Sequence, residues 1–189
     1  GTGTYQTLAN LPAVLLYHQT VSYNGYLFLS GGSSDGSNPL STVYSSKIQA
    51  DGTIGSWISL TSLPVATRSH GMTAANGYLF VAGGCNSACA AYFSTVYSAK
   101  INSDGSIGSW NTLSALPALI TDAAVTSYNG YVYVIGGFSG GAAISTTYAA
   151  QILGNGTIGA WATLNNFANL RYVGSAVASN GYLFYIGGH

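Results

Sequence analysis

Asn76-Gly77-Tyr78-Leu79-Phe80-Val81-Ala82-Gly83-Gly84 is the stretch that decides how the rest of this chain reads. Asn-Gly ahead of an apolar run is a strong hairpin signal, because both central residues of a tight primed turn need positive φ. The run that follows carries large residues on both alternations, Tyr78 and Phe80 on one, Leu79 and Val81 on the other. A strand of that kind has both faces covered, as in a sheet packed between two others. Upstream, residues 69–75 are dominated by small side chains, which suits a strand crowded near an axis. These are strands A and B of a unit. After a variable loop, strand C (95–101) turns at Asp104-Gly105 into strand D (107–113).

The unit recurs. Asn24-Gly25-Tyr26-Leu27-Phe28, Asn129-Gly130-Tyr131-Val132-Tyr133 and Asn180-Gly181-Tyr182-Leu183-Phe184 repeat the first motif, and the glycines step by 52, 53 and 51 residues. Each copy runs into a glycine pair, Gly31-Gly32, Gly136-Gly137 or Gly187-Gly188. A second block keeps the same register: Tyr44, Tyr97 and Tyr148, then Asp51-Gly52, Asp104-Gly105 and Asn155-Gly156, then Trp57, Trp110 and Trp161. A Leu-Pro pair follows at Pro12, Pro64 and Pro117. Thr4-Tyr5 reads as a worn copy of the Trp block. A fixed period near 50 marks stacked supersecondary units, none of which buries its faces alone. The repeats divide at about 1–57, 58–110, 111–161 and 162–189, the last incomplete, within a single domain.

An apolar strand, a glycine pair, a later Tyr and then a Trp, at this period, resembles the kelch-repeat β-propeller family. The resemblance covers essentially the whole chain. It implies an all-β fold of four-stranded antiparallel blades round a central axis, with the glycine pairs ending strand B and the Tyr and Trp series packing between blades. Two features depart from the family. Tyr97 and Trp110 stand thirteen positions apart, a longer C–D hairpin than usual, and the Arg that follows the Leu-Pro element appears once, as Arg68. Counting a leading D strand, three full sets and a final A and B gives fifteen strands, one short of four blades. The ring is expected to stay open in this chain alone, and the edge of strand B near Ile186 to be paired by another chain or by the remainder of a longer parent.

Composition narrows the function. Of 189 residues, 48% are hydrophobic and only 4% charged, with four Lys+Arg against four Asp+Glu. Four scattered cations cannot neutralise a run of phosphates, which argues against nucleic acid. No apolar run approaches the ~20 residues of a membrane helix. No Gly-x-Ser-x-Gly elbow or suggestive acid pair occurs, so no catalytic residue, metal or cofactor is expected. His18 and His70 occupy equivalent places on strand A, and Ala123 and Gly174 fill the other copies, which reads as wall histidines rather than a metal site. Cys85 and Cys89, in one irregular loop, are expected to form a disulfide. With the Ser/Thr/Asn/Tyr-rich surface this points to an extracellular or cell-surface location.

Topology sorts the loops. The tight Asx-Gly turns share one rim, and the B–C and D–A loops share the other. The second rim holds the long, varied segments 33–40, 85–93 and 138–144, and variable loops on a rigid scaffold are where binding tends to sit. The ligand candidates there are Arg68, Tyr92, Phe93, Asp122, Phe138, Arg171 and Tyr172. Tyr92, Phe93 and Phe138 fall outside the inter-blade series, which favours them as contact residues. Arg68 suits either a ligand carboxylate or a local partner such as Asp122. Asp51 and Asp104 are explained by their turns. The expected function is a non-catalytic extracellular binding or adhesion module for a protein or glycan. The alternative is a structural repeat unit of a multi-chain assembly or filament. A kelch-related copper oxidase is a weaker third reading, since the two cysteines sit together and leave no Tyr–Cys crosslink.

Overall fold

The computed structural model describes residues 7–189. The strand expected at Thr4-Tyr5 lies outside these residues. In chain order the strands are β1 (Gln19–Tyr23), β2 (Tyr26–Ser30), β3 (Val43–Lys47), β4 (Ile58–Ser59), β5 (Gly71–Ala75), β6 (Tyr78–Ala82), β7 (Val96–Ile101) and β8 (Ile107–Thr112). They continue as β9 (Ala124–Tyr128), β10 (Tyr131–Ile135), β11 (Phe138–Ser139), β12 (Ala142–Ala143), β13 (Thr147–Gln151), β14 (Ala162–Leu164), β15 (Ser175–Ser179) and β16 (Tyr182–Ile186). Three antiparallel four-stranded sheets result, β1-β2-β3-β4, β5-β6-β7-β8 and β9-β10-β13-β14, followed by the pair β15-β16. These are blades 1 to 4. The small hairpin β11-β12 stands apart, inside the B–C loop of blade 3, and was not anticipated from the sequence.

Asn24-Gly25, Asn76-Gly77, Asn129-Gly130 and Asn180-Gly181 each close an A–B hairpin with both residues at positive φ, as the turn chemistry requires. The first strands β1, β5, β9 and β15 pack side by side in that order, so they form the inner wall. Their small residues have a steric cause: a Cβ added at Gly71 would run into Val125 of the next blade. A relay of main-chain hydrogen bonds joins the blades at the top of this wall. Ser69 N donates to Tyr17 O (3.0 Å), Asp122 N to Ser69 O (2.8 Å) and Val173 N to Asp122 O (2.9 Å). Tyr17, Ser69, Asp122 and Val173 all take positive φ to make it.

The hydrophobic core lies between blades rather than within one. Phe28 and Val43 of blade 1 pack on Leu79, Val81, Ala99, Ile101 and Ile107 of blade 2. Phe80 and Val96 of blade 2 pack on Val132, Val134, Tyr148, Ala150 and Ile152 of blade 3. That alternation explains why strand B is apolar on both faces. Tyr97 and Tyr148 are buried at these seams, while Trp57, Trp110 and Trp161 are half-buried. Trp110 Nε1 donates to Thr61 O and Trp161 Nε1 to Ser114 O, each at 3.0 Å, so the indoles clip one blade to the preceding D–A connection. Among the described residues the sheets do not close into a ring.

Candidate functional site

The expected sorting of loops is present. Ile48 N, Ile101 N and Ile152 N donate to Gly25 O, Gly77 O and Gly130 O, which places the Asx-Gly turns of A–B and C–D on one rim. On the other rim, isolated bridges tie each B–C loop to the D–A connections: Leu16 to Ser33, Arg68 to Cys85, Thr121 to Phe138 and Ile144 to Arg171. Those bridges hold the long loops in a fixed register above the blades.

Three aromatic residues from successive blades meet on that rim. The Tyr92 and Phe138 rings lie edge to face with centroids 6.1 Å apart, and Phe138 and Tyr172 are 5.3 Å apart. His189 extends the row, 5.7 Å from Tyr172. Tyr92, Phe138 and Tyr172 are half-buried, so each keeps ring surface open to solvent. Sequence reasoning selected the three aromatics and missed His189. The signal was available, since His189 follows its glycine pair as Cys85 and Phe138 follow theirs.

The other candidates separate. Arg68 is buried, donates through Nη1 to Gly36 O, and stacks its guanidinium 4.9 Å from the Tyr17 ring centroid. Its partners are therefore a loop carbonyl and an aromatic face, and Asp122, one of the alternatives raised by the sequence, is not among them. Asp122 instead lines a depression of about 210 Å³ at the axis, with Tyr17, Ser69, His70 and Val173. Phe93 belongs to the repeat after all: Phe93 and Ile120 exchange a hydrogen bond, as the main chains of Leu40 and Thr67 and of Ile144 and Arg171 do. Its half-buried ring sits at an inter-blade bridge rather than in the aromatic row. Arg171 borders an open cleft of about 480 Å³ with Phe167, Leu183 and Tyr185.

Two local devices stiffen the rim. Cys85 and Cys89 are disulfide-bonded, with Cα atoms 4.8 Å apart, across the turn Ser87–Cys89. Asp35 organises the blade 1 loop by accepting hydrogen bonds from Asn38 N, Ser37 N, Asn38 Nδ2 and Ser33 Oγ. Those donors, the Asn38 amide first, hold its carboxyl far below the usual range. Below the rim, His70 Nε2 meets Ser30 Oγ at 2.8 Å within the wall. No group of three or more His, Cys, Asp or Glu side chains suited to a metal ion occurs among the described residues.

No family model matches the chain. Over 130 residues it is 27% identical to beta-scruin of Limulus polyphemus, a match that takes in 65% of this chain and 13% of that protein. It also superimposes on the structure of YjhT with a TM-score of 0.78 and 19% identity, over 98% of this chain and 62% of that one. The chain thus spans less than two thirds of the length of either. The fold is an open, kelch-like β-propeller arc. The arc carries its aromatic rim on that scaffold. No helix among the described residues is long and apolar enough to cross a membrane.

Proposed function

We propose that this chain is a non-catalytic binding module that presents the B–C and D–A rim to a protein or glycan outside the cell. The observation that carries the reading is the aromatic row Tyr92–Phe138–Tyr172, built from three blades and left half-open. Rings held by a rigid scaffold offer apolar faces and, for tyrosine, a polar tip, at low entropic cost on binding. Such a row suits the alternating apolar and hydroxyl faces of a sugar chain or the side chains of an extended peptide. The Cys85–Cys89 disulfide supports an oxidising compartment. An adhesion role follows if the ligand belongs to a surface.

The test is calorimetry against a panel of cello-, chito- and xylo-oligosaccharides and a random peptide pool on beads. The intact chain should bind at least one class, and Phe138→Ser with unchanged far-UV spectrum should lose that binding at least tenfold. If the variant binds as well as the parent, or the parent binds none of the probes, the rim is not the ligand site. The second reading, a structural unit of a larger assembly, is favoured by one observation: blade 4 leaves Tyr182, Phe184 and Ile186 open to solvent.

A further inference from the structure

The long loops of the rim are bent by different devices, and one of them is covalent. The blade 1 loop bends at Gly36 (φ +81°) beside the Asp35 carboxylate, and the blade 3 loop at Gly140-Gly141 (φ +59° and +86°) in the β11-β12 hairpin. Glycine takes such angles freely. The blade 2 loop makes the same kind of bend with Ala88 and Cys89, at φ +50° and +52°. A side chain crowds the backbone there, so two such residues in succession persist only where the surroundings hold them.

What holds them is the Cys85–Cys89 bond. Cys85 is fully buried and fixed to the wall: its N donates to Arg68 O at 3.0 Å, and Arg68 N donates to Cys85 O at 3.2 Å. Cys89 is partly exposed at the tip of the loop. Two hydrogen bonds join that tip to the blade 1 loop, Ala88 N to Ser37 O (3.0 Å) and Ser87 Oγ to Asn38 Oδ1 (3.3 Å). Opposite Cys85 across the loop stands Tyr92, the first ring of the aromatic row. Asn86 N to Ala91 O (3.1 Å) and Phe93 N to Gly84 O (2.8 Å) flank that pairing. A bond between cysteines four positions apart constrains the unfolded chain little, so its effect is local.

We infer that the Cys85–Cys89 bond is a thiol-reducible latch that holds Tyr92 in the aromatic row. That it regulates binding rests on the rim being the ligand site, as proposed above. A thiolate of the glutathione class meets the sulfur of Cys89, the more exposed of the pair. The S–S bond breaks, a mixed disulfide forms on Cys89, and the Cys85 sulfur leaves as a thiolate that takes up a proton. A second small thiol displaces Cys89 from the mixed disulfide. Two small thiols thus end as one disulfide, and both cysteines end as thiols. Once released, Ala88 and Cys89 relax to negative φ and the tip leaves Ser37 and Asn38. Tyr92 then leaves the edge of Phe138, and the row keeps only Phe138 and Tyr172 of its three rings.

The experiment reduces the full chain with dithiothreitol, without denaturant. It follows amide exchange at Asn86, Ala88 and Ala91 and the nuclear Overhauser contact between the Tyr92 and Phe138 rings. No ligand takes part, so a chain that binds none of the sugars or peptides still gives a result. Reduction should speed exchange at the three amides at least tenfold and abolish the ring contact, with exchange at 79–82 unchanged, and reoxidation should restore both. Ala88→Gly accepts the bend without the bond, so its reduced form should exchange more slowly at these amides than the reduced parent. Unchanged exchange and an intact ring contact after reduction overturn the latch. So does a bond that dithiothreitol leaves intact in the folded chain. Equal acceleration at 79–82 also overturns it, by making the bond a support of the whole fold. Equal exchange in the reduced parent and reduced Ala88→Gly overturns the backbone bend as the cause of release.

Discussion

His70 shows how far one side chain can depend on its position in the wall. It is 1% exposed, its Nε2 is bonded to Ser30 Oγ, and its Nδ1 has no partner. Burial first, and then the neighbouring His18, push its pKa down to about 3. The folded chain keeps the ring neutral, whereas the unfolded chain takes up a proton near pH 6.5. The contribution to stability is therefore whole above about pH 6.5 and declines as pH falls towards 3. Urea titrations should show a loss of about 2 kcal/mol between pH 7 and pH 5. Asp35, Asp51 and Asp104 are all held low by hydrogen bonds and titrate below that window. Burial also lowers the pKa of His18, which adds to the loss in the same direction, so His70→Gln should make the profile shallower, and an equally steep one in the variant would assign the loss elsewhere. Two glycines make a second residue-level test. Gly25 and Gly105 both take φ near +80°, yet a Cβ at Gly25 meets nothing while one at Gly105 meets the Tyr26 ring. Gly25→Ala should cost about 1 kcal/mol for the backbone alone. Gly105→Ala should cost a further ~1–3 kcal/mol for overpacking the seam. Equal losses would mean that the ring moves aside freely.

At the scale of the element, the indole clips are the joints between blades. Trp110 is half-buried, packs against the cluster of blades 1 and 2, and donates to Thr61 O. Trp110→Ala should therefore cost about 2 kcal/mol, short of the ~3–5 kcal/mol of a fully enclosed Trp. Equilibrium unfolding reads this directly, and a loss below ~0.5 kcal/mol would show that the clip holds nothing. Rim binding should survive the change, because the indole lies on the seam and not in the aromatic row. The strands themselves were legible because their signals are local. Tyr78–Ala82 is bounded by Asn-Gly and Gly-Gly, and the structure gives those same limits. β11-β12 was not legible, since its two-residue strands carry no alternation to read. The depth of the Trp series was not legible for a related reason. Strict periodicity reports that a residue sits at a seam, but not how deep the seam is at its outer end. Arg68 was ambiguous because its partners, Gly36 O and Tyr17, come from an unpatterned loop and the preceding blade. The aromatic row was half legible: Tyr92, Phe138 and Tyr172 stood out by type, while their meeting depends on the stacking of three blades.

Across the whole molecule, stability should grade from the middle of the arc to its open side. In a repeat array each unit is stabilised by its own hairpins and by its contacts with neighbours. Blade 2 has a packed seam on each side, through Leu79 towards blade 1 and Phe80 towards blade 3. Blade 4 meets blade 3 on one side, partly through the stacked rings of Phe167 and Tyr185 at 5.3 Å, and nothing among the described residues covers Phe184. The same chemical change at equivalent positions should thus have unequal effects. Phe80→Ala empties a site inside the core and should cost about 3–5 kcal/mol. Phe184→Ala removes a ring that is already 47% exposed and should cost under ~1 kcal/mol in the isolated chain. Chemical denaturation of the two variants beside the parent measures the difference. Local opening should follow the same order, with amides at 183–186 exchanging faster than those at 79–82. Should Phe184→Ala prove as costly as Phe80→Ala, the isolated chain already covers its fourth blade, and the arc is closed in solution by contacts of its own.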